Sequence, residues 1–231
     1  MKRILLKLSG EALSGDGKNT YDDQVILRVA NQVKTITDEG TQVSIVIGGG
    51  NLWRGRSETG IDRTKSDSIG MLATVMNCIY VSEIFRSVGL GTQIFTPVQI
   101  GTMTKLFSKD DAVEAMNNGK VCFFAGGTGH PYFSTDTGTV LRALEIDADI
   151  ILLAKAVDGI YDSDPKTNPA AVKYDEISID KVVADKLNAM DLTASIMAME
   201  NRLPMMVFAL DAPNGIVDAA HGKNIGTRIT V

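Results

Sequence analysis

The stretch Val43-Ser44-Ile45-Val46-Ile47, followed by Gly48-Gly49-Gly50-Asn51-Leu52-Trp53-Arg54-Gly55, decides the reading of this chain. Val43–Ile47 is short, apolar and rich in β-branched residues, the pattern of a buried strand. Three glycines at its C-terminal end let a backbone approach a ligand with no Cβ in the way. Backbone N–H groups in such a turn, with Arg54 beside them, make a seat for phosphate. A strand-to-helix turn that only solves a packing problem reads equally well from these residues alone.

The first strand repeats the theme. Lys2–Leu8 is mostly apolar and runs into Lys7-Leu8-Ser9-Gly10. Lys7 stands near the strand's C-terminal end, where ligands gather in open α/β sheets. The plain alternative is a solvated lysine on an edge strand. Further along, the pattern predicts strands at Thr92–Thr96, Val121–Ala125, Ile150–Ala154, Met205–Phe208 and Gly226–Thr230. Helices are predicted at Asp22–Gly40, Asp67–Val88, Asp110–Asn118, Thr135–Ile146, Ser178–Leu187 and Leu192–Asn201. In Asp67–Val88, Ile69, Leu72, Val75, Met76, Ile79 and Ile84 are expected inside. Val157–Tyr161 reads as a turn or hairpin. Alternating strands and helices favour an α/β fold on one continuous sheet.

With 231 residues and 44% hydrophobic composition, the chain can bury a full core, as one large α/β domain or two small ones. No Pro- or Ser-rich linker divides it. The net charge of −5 argues against a general attraction to DNA or RNA, so an anionic ligand has to be held by local groups. Cys78 and Cys122 sit in apolar contexts and read as reduced and buried, which suits the cytoplasm. The basic start Met1-Lys2-Arg3 is followed by an apolar run that Lys7 interrupts, unlike a signal peptide. No apolar run approaches the ~20 residues of a membrane span.

Ala125-Gly126-Gly127-Thr128-Gly129-His130-Pro131-Tyr132-Phe133-Ser134-Thr135-Asp136-Thr137 sits between a strand and a helix. Ser134, Thr135 and Asp136 are all good N-cap residues. Capping explains one or two of them, not a loop rich in Gly, Thr and aromatic residues. Such a loop can offer hydroxyls and N–H groups to the base and sugar of a nucleotide. A Walker-type loop at Gly15–Thr20 fails, because Asn19 fills the Ser/Thr slot and Ala12 the first Gly slot. Asp158, Asp162 and Asp164 lack the spacing of a calcium loop and read as an exposed acidic turn. His130 and His221, the two histidines, form no zinc set with the distant cysteines and no hydrolase triad.

Taken together, these segments resemble the bacterial UMP kinases of the amino acid kinase superfamily, over essentially the whole chain. The resemblance runs through Arg3–Leu13, Val46–Asn51, Gly70–Asn77, Gly127–Asp136, Val157–Pro165 and Met190–Ala194. It implies a three-layer αβα sandwich around a mostly parallel sheet, with residues 1–231 as a single amino acid kinase domain. It implies transfer of a phosphoryl group from ATP to UMP with Mg²⁺, the ion held mainly by nucleotide phosphates. By position, Lys7, Leu8, Ser9, Gly10, Gly50 and Arg54 match the ATP phosphate side, and Lys155, Tyr161 and Asp164 the adenine and ribose region. Gly49, Asp67 and the loop Thr128, Gly129, His130, Pro131, Tyr132, Phe133, Ser134 and Thr135 match the UMP side. Lys7, Arg54, Asp136 and Asp191 match the residues that organise the reaction. The family implies a cytoplasmic, allosteric homohexamer inhibited by UTP.

Three departures stand out. Gly15–Thr20 lacks the Gly-Phe-Gly-type text of the GTP activation segment, Lys155 replaces Thr or Asn, and His130 replaces a common Asn. Two other readings remain open. One is a superfamily kinase with a carboxylate or carbamate acceptor, although nothing after residue 231 offers an aspartokinase's regulatory domain. The other is a non-catalytic nucleotide-binding storage protein, similar to the molybdenum storage proteins.

Overall fold

Strand β1 (Arg3–Leu8) lies at the middle of the sheet, and both of its faces are covered. Its alternate residues feed two cores. Ile4, Leu6 and Leu8 point to one side and Leu5 to the other, all fully buried. A strand buried on both faces is a continuous apolar run, which is why RILLKL is so readable. The computed structural model describes residues 1–14, 19–54, 60–187 and 189–231; Gly15–Lys18, most of the activation-like segment, and Gly55 lie outside them.

After a 3₁₀ turn (Glu11–Ser14) come α1 (Asp23–Asp38), β2 (Gln42–Ile47), α2 (Arg63–Ser87), β3 (Thr92–Thr96) and β4 (Lys105–Leu106). Then follow α3 (Lys109–Asn117), β5 (Val121–Phe124), α4 (Thr135–Glu145) and β6 (Ile150–Lys155). The last part holds β7 (Ile160–Tyr161), β8 (Lys173–Tyr174), β9 (Glu176–Ser178), α5 (Ile179–Ala184), α6 (Leu192–Glu200), β10 (Met205–Ala209), α7 (Gly215–Ala220) and β11 (Thr227–Thr230). Nine strands form one sheet in the order β4-β3-β5-β2-β1-β6-β10-β11-β9. Every neighbouring pair is parallel except β10–β11. Val157–Tyr161, expected as a turn or hairpin, is a bend that leads into β7, which pairs with the sequence-distant β8 as a separate antiparallel ribbon.

Helices α1, α2 and α7 cover one face, where Val29, Val33, Val75, Val81, Phe85 and Ile216 share one core with Ile4, Leu6, Ile45 and Leu152. Helices α3 to α6 cover the other, where Met116, Val140, Val182 and Ala198 share a second core with Leu5, Val46 and Leu153. The result is three layers. Phe85, fully buried and edge-on to Phe123, shows the scale of this packing. Its truncation to Ala is expected to cost about 3–5 kcal/mol.

The expected span of α2 is corrected at its start, and its expected core face in part. It begins at Arg63, because the Asp62 carboxylate accepts from Thr64 N and Lys65 N. Asp67 therefore lies in its second turn. Ile69, Leu72 and Met76 are exposed, Leu72 and Met76 by more than half, while Thr74, Asn77 and Ser82 are buried. By length and composition α2 could cross a bilayer. Here its Val75–Phe85 side is built into the core.

Candidate functional site

The C-terminal ends of β1 and β2 lie side by side in register, with Lys7 opposite Val46 and Leu8 opposite Ile47. Gly48 N donates to Leu8 O at 3.0 Å, so the two glycine turns leave the sheet together. They touch closely. A Cβ on Gly10 would lie 2.3 Å from the Gly48 carbonyl oxygen, so no larger residue fits. Arg54 reaches back over this turn, donating from Nε to Gly50 O (3.3 Å) and pairing with Glu11 (3.0 Å).

Lys7 is the centre of the charge arrangement. Its Nζ lies 2.6 Å from Asp136 Oδ1 in the first turn of α4, and both side chains are at most one-fifth exposed. Burial by itself would raise the Asp136 carboxyl. The ammonium of Lys7, helped by Lys155, outweighs it and holds the group below the ordinary carboxylate range. Lys155 is driven the other way: burial lowers its ammonium, Asp136 resists that, and Lys7 adds to it. Its Nζ donates to Ala189 O. Lys155 is thus drawn into the Lys7–Asp136 group rather than towards Tyr161 and Asp164. Those two residues line a different cavity, of about 470 Å³, between the β7 segment and Asp185–Leu187. Lys155 instead lines one of about 360 Å³ with Ala12, Arg28 and Asp211.

Asp191 caps α6 through Ala194 N (3.0 Å). It also accepts from Ser134 Oγ and from Thr137 Oγ1 (3.3 Å). Ser134 in turn caps α4 through Asp136 N (3.0 Å) and Thr137 N. Asp191 therefore fixes the helix end that carries Asp136. It is a link between two helix starts rather than a second ligand of Lys7.

The loop expected to meet the acceptor closes over a cavity of about 210 Å³. Gly49, Asp67, Thr128, His130, Phe133, Ser134 and Thr135 line it. Gly129 (φ 84°) and Gly126 (φ 78°) take left-handed backbone that suits glycine. Tyr132 also has φ 73°, which costs a side-chain-bearing residue roughly 1 kcal/mol. Its N–H donates to Asp67 Oδ2 (2.7 Å), the same oxygen that Arg63 Nε approaches at 2.8 Å. The Arg63 guanidinium also lies over the Tyr132 ring, 5.2 Å from its centroid. This strained turn is held by α2. Arg63, Trp53 and Thr74 belong to the same lining and went unread as site residues. Thr74 Oγ1 accepts from Gly126 N at 2.7 Å. A hydroxyl amid an apolar helix was the signal.

Asp158, Asp162 and Asp164 turn out to serve the β7–β8 ribbon. They accept from Lys173 and Tyr161, from Val172 N and from Lys166 N respectively. Among the described residues, no group of three or more His, Cys, Asp or Glu side chains is placed to hold a metal ion.

This fold, with Lys7 and two glycine turns at the ends of β1 and β2, defines a class. The profile of the Amino acid kinase family matches residues 2–209, and the chain belongs to that family. Within it, the chain falls among the uridylate kinases. It is 44% identical over 230 residues to the uridylate kinase of Phocaeicola vulgatus, covering 99% of this chain and 98% of that one. The UMP kinase structure from Bacillus anthracis superposes with a TM-score of 0.95 at 36% identity, over 99% of this chain and 96% of that one. That from Ureaplasma parvum gives 0.93 at 36% identity, over 100% and 99%.

Proposed function

We propose that this chain transfers the γ-phosphoryl group of ATP to UMP, giving ADP and UDP. The observation that carries the reading is the Lys7–Asp136 pair at 2.6 Å, set directly after Thr135 in the lining of the Asp67 cavity. One cation thus stands where a phosphate on the glycine turns and an acceptor in that cavity would meet.

The chemistry asks little of a general base. The phosphate of UMP has its second pKa near ~6, so it is largely dianionic at neutral pH and attacks unaided. What remains is to align two anions and neutralise the charge between them. The glycine-turn N–H groups, Lys7 and Arg54 suit that task. Asp136, ionised and held by Lys7, orients that lysine and removes no proton. Mg²⁺ arriving with ATP would supply further neutralisation, and the residues present fit this role. Mg²⁺ usually keeps much of its shell from water and substrate phosphates, which suits a site where Asp136 is engaged by Lys7 and Asp191 by two helix starts. Tyr161 and Asp164 line a cavity of a size to take the adenine and ribose.

The same reading makes the molecule one kinase domain in pyrimidine nucleotide synthesis in the cytoplasm. Assembly into a hexamer is supported by the exposed apolar side of α2, where Leu72, Met76 and Tyr80 lie together. Light scattering that gave a monomer would remove that part. Inhibition by UTP rests on the resemblance alone, and a UTP titration decides it.

The reaction is tested by UMP-dependent ADP release from Mg-ATP, with CMP, dTMP and carbamate as parallel acceptors. Selective turnover of UMP is expected. ATP binding without UMP turnover would overturn the reading in favour of another acceptor or a storage role.

A further inference from the structure

Asn77 lies in the middle of α2, is fully buried, and is not among the residues that line the acceptor cavity. Its side-chain amide uses its whole hydrogen-bonding capacity. Nδ2 donates to Gly48 O (2.7 Å) and to Asn51 Oδ1 (2.8 Å). Oδ1 accepts from Tyr21 Oη (2.8 Å) and from Asn51 Nδ2 (3.2 Å). Two donors and two acceptors are all that a carboxamide has. Asn51 Nδ2 also donates to Thr20 O (3.1 Å), which brings the start of the α1 segment into the same network.

Three of the four bonds of Asn77 end on the β2 glycine turn, at Gly48 and Asn51. Gly48 is the first residue of the β2 turn, and its carbonyl oxygen lies only 2.3 Å from where a Gly10 Cβ would be. Asn51 Oδ1 would lie 2.6 Å from that same Cβ. Fixing Gly48 O and Asn51 therefore fixes the seat of the β1 turn as well. Tyr21, which stacks on Tyr80 at 4.1 Å, closes the network from the α1 side.

We infer that Asn77 is a positioning residue for phosphoryl transfer: its amide locks the β1 and β2 glycine turns into one rigid cradle for phosphate. The inference rests on the reaction proposed above. Its physical basis is that a buried carbonyl aimed at a fixed donor has one low-energy orientation. The peptide planes that follow Gly48 inherit that orientation, and their N–H groups face the ligand. An isosteric Asp would place an acceptor against Gly48 O and Asn51 Oδ1. A Leu would remove all four bonds, taking this partner from Gly48 O, Asn51 Oδ1 and Tyr21 Oη, while Asn51 Nδ2 keeps Thr20 O.

The test uses Asn77→Asp, Asn77→Leu and, as a reference, Val81→Ala, which thins the core on the same helix without touching the turns. Thermal unfolding matches the variants for stability loss. Steady-state kinetics and calorimetric ADP binding then read the role. Displacing reacting groups by about 1 Å costs on the order of 10²-fold in rate. The expected result is therefore a 10- to 100-fold drop in kcat and at least a tenfold weaker ADP affinity in both Asn77 variants, with Val81→Ala near wild type in both. Tyr21→Phe, which removes one bond of four, should fall in between. If the Asn77 variants fail to fold, Tyr21→Phe and Asn51→Ala carry the test. Kinetics and ADP affinity indistinguishable from Val81→Ala would overturn the inference. Should the wild type bind ADP but not phosphorylate UMP, the reaction reading fails by itself, and the ADP arm still decides Asn77.

Discussion

Replacing Asp136 by Asn tests the charge arrangement most directly. The change keeps the shape and the Ser134 cap but removes the anion 2.6 Å from Lys7. Two effects follow. Lys7 loses the partner that aims it, and two cations, Lys7 and Lys155, are left facing each other in a partly buried site. Loss of one well-aimed charge partner of the transition state costs about 10²–10³ in rate. At 1.36 kcal/mol per decade this is about 2.7–4 kcal/mol of barrier. Ground-state binding should move the other way. Asp136 repels the triphosphate, so its removal should leave KM for ATP unchanged or lower it. The expected signature in a coupled ADP-release assay is thus kcat down at least 100-fold without a rise in KM for ATP. The pH dependence adds a second readout. The folded-state pKa of Asp136 is depressed, so its stabilisation is fully present above the unfolded carboxylate value. It is lost as pH falls from roughly 4 through the lower folded value. The Asn variant should lack that share of the acid-induced loss of stability. Turnover within threefold of wild type, or a tenfold rise in KM with kcat preserved, would refute the orienting role.

Arg54→Ala should slow turnover by about 10²-fold while changing the unfolding free energy by less than ~0.5 kcal/mol, because the side chain is exposed. Near-wild-type turnover would exclude it from the reaction. Asp67→Asn should raise KM for UMP about tenfold with little effect on KM for ATP, since it weakens the anchor of the Tyr132 turn. Equal effects on both substrates would place Asp67 elsewhere in the chemistry. Burial pushes the Cys122 thiol up to about 12 and raises Cys78 as well. Neither should react with a thiol reagent at pH 8 in the native state, and both should react after denaturation. Rapid native labelling would contradict the packing of β5 or α2.

What the sequence made legible, and what it hid, follows from how each segment is buried. Strands β1, β2, β5, β6 and β10 lose both faces to helices, so they stand out as apolar runs. β4 and β9 have two and three residues, lie at the sheet edges and are largely exposed, so no period marks them. α7 is six residues long and starts at Asn214 in left-handed backbone, without a side-chain cap, so the usual start signal is missing. Lys7, Arg54 and the Gly127–Asp136 loop stand out in the sequence because charge and glycine at strand ends need a reason, whereas Asp67, inside α2, is singled out only by the resemblance. α2 misled because apolar residues were assumed to face inward. Leu72 and Met76 face out, while Thr74 and Asn77 face in, each with a partner supplied by a strand or turn distant in sequence. Burying an amide or hydroxyl is costly only when it lacks a partner. Periodicity cannot foresee one supplied by another element. A polar residue in the middle of an apolar helix is thus ambiguous in sequence and decisive in three dimensions. On α2 two such residues hold the glycine turns, Thr74 through Gly126 and Asn77 through Gly48. Helix α2 therefore links the Gly126 turn to the Gly48 turn, and under the proposed reaction a shift along its axis is expected to move the acceptor loop and the phosphate cradle at once.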